Sequence, residues 1–104
     1  MPRFDFVIRE AARADAADIA EIETLCFTSP WSLKAILDEI EGNEAARYIV
    51  CADGERVIAY AGLWIVLNEG HITNVAVHPD FRGRGVGSAV LAALLERMRR
   101  GAGL

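Results

Sequence analysis

At 104 residues, 53% of them hydrophobic and 25% charged, the chain is at most one small globular domain, which excludes a disordered or low-complexity protein. A formal net charge of −4 excludes the basic surface of a general nucleic-acid binder. No apolar run reaches the roughly 18 residues of a membrane span, and charges at Arg3, Asp5, Arg9 and Glu10 break up the start where a secretory leader would be apolar, so a cytoplasmic protein is expected.

Residues 4–9 are rich in β-formers and predict a first strand. Asp15 reads as a helix N-cap, with Asp18 three residues on in a capping-box-like arrangement. Ile19, Ile22 and Cys26 recur at helical spacing over 15–26, with Leu25 beside them, while Asp18, Glu21 and Glu23 are expected to point outward. Pro30 disfavours helix at Ser29 and breaks this element. Ser32 caps a second helix over 32–42, with Leu33, Ile36, Leu37 and Ile40 on one face, and Gly42-Asn43 ends it as residues tolerant of left-handed backbone do. Strands follow at 48–52, 57–67 and 71–78, separated by turn signals at Asp53-Gly54 and Asn68-Glu69-Gly70. Gly62 marks a bulge or a close approach inside the second of these. A last helix over 85–99 carries Val86, Val90, Leu94 and Met98 in an i, i+4 row that Leu91 and Leu95 widen. The order β-α-α-β-β-β-α predicts an α+β fold, a mostly antiparallel sheet with helices on its faces. No strand follows the last helix, so the fourth strand is expected to keep an open edge through which a second copy could pair.

Cys26 and Cys51 lie far apart and are expected to be buried and inert. Neither they nor His71 and His78 show ligand spacing, so no metal is expected. The strongest chemical signal is Arg82-Gly83-Arg84-Gly85-Val86-Gly87-Ser88, at the junction of the fourth strand and the last helix. Alternate glycines permit a tight turn and clear space beside the backbone. The helix start adds unpaired N–H groups and a positive dipole end, so N–H groups from Gly83 to Ser88 could converge on an anion. A plain connecting turn is the alternative. The run is not a P-loop, because no Lys-Ser/Thr follows, and Ser88 stands where a dinucleotide fingerprint needs its third glycine.

The run Val75-Ala76-Val77-His78-Pro79-Asp80-Phe81-Arg82-Gly83-Arg84-Gly85-Val86-Gly87 resembles the acetyl-coenzyme A motif of the GCN5-related N-acetyltransferases, Arg/Gln-x-x-Gly-x-Gly/Ala. Upstream, Phe27-x-x-Pro30-Trp31-Ser32 and Ile72-x-Asn74-Val75-Ala76-Val77 look like the RimI branch, which acetylates the N-terminus of a ribosomal protein. The resemblance covers about residues 6 to 104.

The resemblance implies that Val75, Ala76 and Val77 offer backbone groups to the pantetheine arm, and that Arg82, Gly83, Arg84, Gly85, Val86, Gly87 and Ser88 hold the pyrophosphate. Acetyl would pass from acetyl-CoA to a primary amine at a protein or peptide N-terminus, with neither nucleic acid nor membrane as partner. It also implies a domain of about 150 residues, with a catalytic glutamate on a fifth strand and a tyrosine after it, both beyond Leu104. Residues 1–104 are then expected to be the N-terminal part of such a domain, weak or inactive alone, and a non-catalytic fragment that binds CoA weakly or self-associates is the alternative. Within the chain, Glu69 and His71 are the nearest candidates for a base, although a solvent-facing turn pair is the plainer reading. His78 reads as a loop residue. Phe27 and Trp31 either line a peptide groove or staple the first two helices together. Tyr60 and Trp64 read as core or sheet-face residues.

Overall fold

A computed structural model describes residues 6–67 and 69–101. Four strands, β1 (Val7–Glu10), β2 (Ala46–Asp53), β3 (Arg56–Val66) and β4 (Glu69–Val77), pair antiparallel in that order. Helices α1 (Ala16–Cys26) and α2 (Leu33–Gly42) precede β2, and α3 (Val86–Gly101) follows β4. The expected element order and the α+β fold are present. The start of the first strand at Phe4 and Asn68 of the second turn lie outside the described residues.

The sheet separates two apolar cores. On one face, Ile19 and Ile22 of α1 and Ile36 of α2 pack against Tyr48, Val50, Val57, Tyr60 and Ala76. On the other, Val86, Val90 and Leu94 of α3 pack against Ile49, Cys51, Ile58, Ala59, Ala61 and Leu63. Alternation along β2 and β3, interrupted at a bulge where Ile58 and Ala59 both face α3, sends side chains to opposite faces, which is why residues 48–52 and 57–63 are buried. Of the α3 alanines, Ala93 packs against this second core and Ala92 is exposed. The α3 stripe is narrower than its sequence suggests: Leu95 is exposed. Leu33 of α2 and Leu25 of α1 are exposed as well, each lying to one side of the buried row.

Gly62 is a close-approach point, and it faces a bulge in β4 at Thr73. A Cβ there would stand 2.5 Å from Cε2 of Tyr48, and the β3–β4 register shifts between Gly62 and Leu63.

Both helix N-termini were anticipated, but only one caps as expected. The Ser32 hydroxyl accepts from the Ala35 N–H at 3.1 Å. Asp15 does sit before α1, yet its carboxylate faces backward, accepting from the Ala12 N–H at 2.7 Å and from Arg9 at 2.7 and 2.9 Å. Those bonds, led by the Arg9 guanidinium, hold its carboxyl below the usual range. Asp18 makes no capping-box bond; it accepts from the Val57 N–H at 3.0 Å and ties α1 to β3. Asn43 ends α2 in extended backbone at φ −98°, not in left-handed backbone, and its side-chain oxygen accepts from the Ala45 N–H.

Candidate functional site

β4 delivers the chain into the glycine loop through a short turn at Pro79–Phe81. Proline fixes the first turn, and the His78 ring nitrogen Nδ1 accepts from the Asp80 N–H at 3.1 Å. Gly83 and Gly85 then take φ of +80° and +76°, a left-handed conformation that an L side chain resists. The first helical bond of α3 runs from the Ala89 N–H to the Gly85 carbonyl at 3.0 Å. The N–H groups from Gly83 to Ser88 have no acceptor among the described residues. Gly83, Arg84, Gly85 and Ser88 are exposed, Gly87 is half-buried, and the Val86 side chain is anchored in the α3 core. These are main-chain donors gathered at a helix start, an arrangement that can take an anion.

The outer edge of β4 adjoins it. Among the described residues no strand pairs with that edge. The His78 N–H bonds inward to the Ile58 carbonyl at 2.7 Å, so the alternation of an antiparallel ladder turns the polar groups of Val75 and Val77 outward. Ala76, predicted with them, stands opposite Tyr60 and turns its backbone inward and its side chain into the α1 core. The Val77 carbonyl already accepts from the Cys26 thiol at 3.4 Å and from Arg82 Nε at 3.3 Å. Free pairing groups for an extended ligand are therefore those of Val75 and the N–H of Val77.

The two loop arginines divide. Arg82 folds back along β4 and also donates to Cys26 Sγ at 3.2 Å. Arg84 lies over the Phe81 ring. Cys26, expected to be buried, is half-buried in contact with the loop. Cys51 is buried as expected, and its burial pushes the thiol up to about 11, which keeps it unreactive.

On the α1–α2 face a cavity of about 310 Å³ opens beside Asn74, one residue before Val75. Phe27 and Trp31 line it together with Glu23 and Thr73. Trp31 also packs against the α1 core. The unexpected member is Glu23. Expected to point outward, it is 2% exposed. Its carboxylate accepts from the Tyr60 hydroxyl, from the Trp31 N–H at 2.8 Å and from Asn74 Nδ2 at 3.4 Å. Asn74 also donates to the Tyr60 oxygen at 3.0 Å. One buried carboxyl group thus joins α1, the α1–α2 loop, β3 and β4 around the cavity, satisfied by the donors that burial demands. A sequence signal did exist. Asp15, Ile19 and Glu23 form an i, i+4 row, and the apolar pattern alone would have placed Glu23 under Ile19 had its charge not sent it outward.

Next to this cluster, the Tyr48 hydroxyl stands 3.4 Å from Glu39 and 3.5 Å from Thr73, and burial pushes it up to about 12, so it stays protonated. Trp64 Nε1 donates to Glu39 at 2.7 Å on the same sheet face as Tyr60. Glu69 and His71 form an exposed pair at 3.4 Å. His71 is six residues of strand from Val77, about 20 Å from the loop. The structure does not bring this pair to the cradle or to the cavity. Among the described residues no cluster of three or more metal-ligating side chains exists, and no helix is long and apolar enough to cross a membrane.

An antiparallel sheet with helices on both faces, a glycine cradle at the start of the helix after β4 and an unpaired β4 edge beside it define an acyl-coenzyme A transferase class of fold. Residues 16–104 match the acetyltransferase (GNAT) family, and the chain belongs to it. It is 33% identical over 89 residues to a Bacillus subtilis protein provisionally assigned as a ribosomal protein bS18-alanine N-acetyltransferase, covering 86% of this chain and 59% of that one. It is 36% identical over 81 residues to the ribosomal protein bS18-alanine N-acetyltransferase of Salmonella typhimurium, covering 75% and 51%. The crystal structure of the ribosomal-protein-S18-alanine N-acetyltransferase from Escherichia coli superposes with a TM-score of 0.81 at 25% identity, over 91% of this chain and 60% of that one. The PaiA N-acetyltransferase of Thermoplasma acidophilum, solved with coenzyme A, shares the fold with a TM-score of 0.82 at 14% identity, over 94% and 74%. The chain spans between half and three-fifths of the length of these two curated relatives.

Proposed function

We propose that these residues form the cofactor half of an acetyl-CoA-dependent N-acetyltransferase that acts in the cytoplasm on the N-terminal amine of a protein, a ribosomal protein being the favoured acceptor. The observation that carries the reading is the run of unpaired N–H groups from Gly83 to Ser88 at the end of an open-edged strand. Acetyl-CoA, when bound, would supply the thioester from which acetyl passes to the amine. The chain's own residues would bind and orient it. Gly83, Gly85, Val86, Gly87 and Ser88 donate to the pyrophosphate, and Val75 and Val77 pair with the pantetheine arm as a strand would. Arg82 braces the Val77 carbonyl. The cavity at Phe27, Trp31 and Asn74 lies on the other side of the same strand segment and would admit the acceptor, with Glu23 fixing its walls. Residues 1–104 would then be the N-terminal part of the domain, and the glutamate and tyrosine expected of this branch would come from sequence beyond them.

Thermal unfolding with coenzyme A tests the binding half of this reading. A ligand at a hundred times its Kd adds about 2.7 kcal/mol to stability, so the midpoint should rise with coenzyme A and fail to rise for Gly85→Val. No shift at saturating coenzyme A would refute it. The open edge of β4 favours a second reading, self-association of the chain through strand pairing. Sedimentation as a concentration-independent monomer would remove that reading.

A further inference from the structure

Arg56 starts β3 and Arg84 lies in the glycine loop, yet both guanidinium groups stand over one ring, 5.6 and 5.3 Å from the Phe81 centroid. Phe6 and His78 meet that ring edge-on at 6.0 and 5.9 Å, which fixes its orientation. The Nη2 of Arg56 also lies 3.1 Å from His78 Nε2. Neither arginine has a carboxylate partner among the described residues. Acidic residues are nevertheless close: Asp53 faces Arg56 across the β2–β3 turn, and Asp80, beside Phe81, lies 3.9 Å from His78 instead. Two guanidinium groups at one ring without a carboxylate partner leave a local excess of positive charge that an anion would neutralise. A guanidinium lying over an aromatic ring keeps its in-plane N–H fork free for such an anion.

We propose that Arg56 and Arg84 form a phosphomonoester site that takes the 3′-phosphate of coenzyme A. The proposal rests on the cofactor reading above. Coenzyme A carries a pyrophosphate and, on its ribose, one separate dianionic phosphate. The main-chain cradle accounts for the first. Arg82 is committed to Val77 and Cys26, so it is not the partner of the second. Arg84 lies inside the cradle sequence, which makes the arginine pair continuous with the pyrophosphate site. The site thus distinguishes coenzyme A from its precursor lacking that phosphate.

Titration calorimetry on the 104-residue chain with coenzyme A and with dephospho-coenzyme A tests this. The wild-type chain should bind dephospho-coenzyme A about tenfold more weakly, the loss expected for a solvent-exposed charge-assisted contact. In the Arg56→Ala/Arg84→Ala double variant the two ligands should bind equally. Should that variant unfold, Arg84→Ala alone, at an exposed loop position, should reduce the ratio. Equal affinity of the wild-type chain for the two ligands overturns this proposal and leaves the cofactor reading standing. Binding of neither ligand overturns both.

Discussion

Replacing Glu23 should damage the protein in a way that reports on the α1–α2 loop. In Glu23→Ala the Trp31 N–H and the Tyr60 hydroxyl both lose their acceptor in a site that is 2% exposed. Each buried donor left unpaired costs about 1–3 kcal/mol. Asn74 keeps its bond to Tyr60, so it adds little. The sum, about 2–6 kcal/mol, is a large part of the 5–15 kcal/mol that stabilises a typical domain. Glu23→Gln keeps the shape and one acceptor but aims a second donor at donors, and should cost about 1–2 kcal/mol. Urea unfolding measures the stability. Amide hydrogen exchange at Trp31, compared with amides in β2, separates loss of the loop anchor from global destabilisation. The Gln variant should expose the Trp31 amide selectively. If Glu23→Ala unfolds at the wild-type urea midpoint with Trp31 protection intact, the carboxylate does not hold the loop and the argument fails.

Asp15 should give the chain an acid-sensitive contribution. Its folded value is lowered, chiefly by the Arg9 bonds, so the stabilisation is present above the unfolded value of about 3.9 and is lost as pH falls through the folded one. Unfolding free energies of wild type and Asp15→Asn from urea titrations should differ by about 1–2 kcal/mol near neutrality and converge at low pH; a difference that persists at low pH counts against the assignment. Gly62→Ala should destabilise by about 1–3 kcal/mol through the Tyr48 ring, and Tyr48→Ala in the same chain should cancel most of the Gly62 effect in a double-mutant cycle. Gly85→Ala meets no neighbour within 4 Å, so its cost comes from backbone alone, about 1–2 kcal/mol at φ +76°, and coenzyme A affinity should fall with it; unchanged affinity and stability would show that the left-handed turn is not required.

The fold was legible because its elements are locally consistent. Ser32, the apolar row of α3 and the Asp53-Gly54 turn each say what the backbone does there. The cradle was legible for the same reason, since alternating glycines ahead of a helix have a local meaning. The cavity at Phe27 and Trp31 was not. It depends on Glu23, Tyr60 and Asn74, which lie 14 to 51 residues apart and meet only through tertiary packing. The side chain assigned to solvent from pattern alone is buried there because the α1–α2 loop, β3 and β4 together provide its hydrogen bonds. Arg56 was missed similarly: its meeting with Arg84 depends on Phe81 folding back over the first residues of β3.

The partition of the interior into two cores bears on how such a protein can diversify. The loop-bearing helix draws its support from Ile49, Ile58 and Leu63, whereas the cavity draws its support from Ile19, Ile22 and Tyr60 on the opposite side. Neighbouring residues of one strand therefore answer to different layers. The first two helices can be repacked around the cavity while every residue beneath the glycine loop stays as it was, so the two faces are free to change separately.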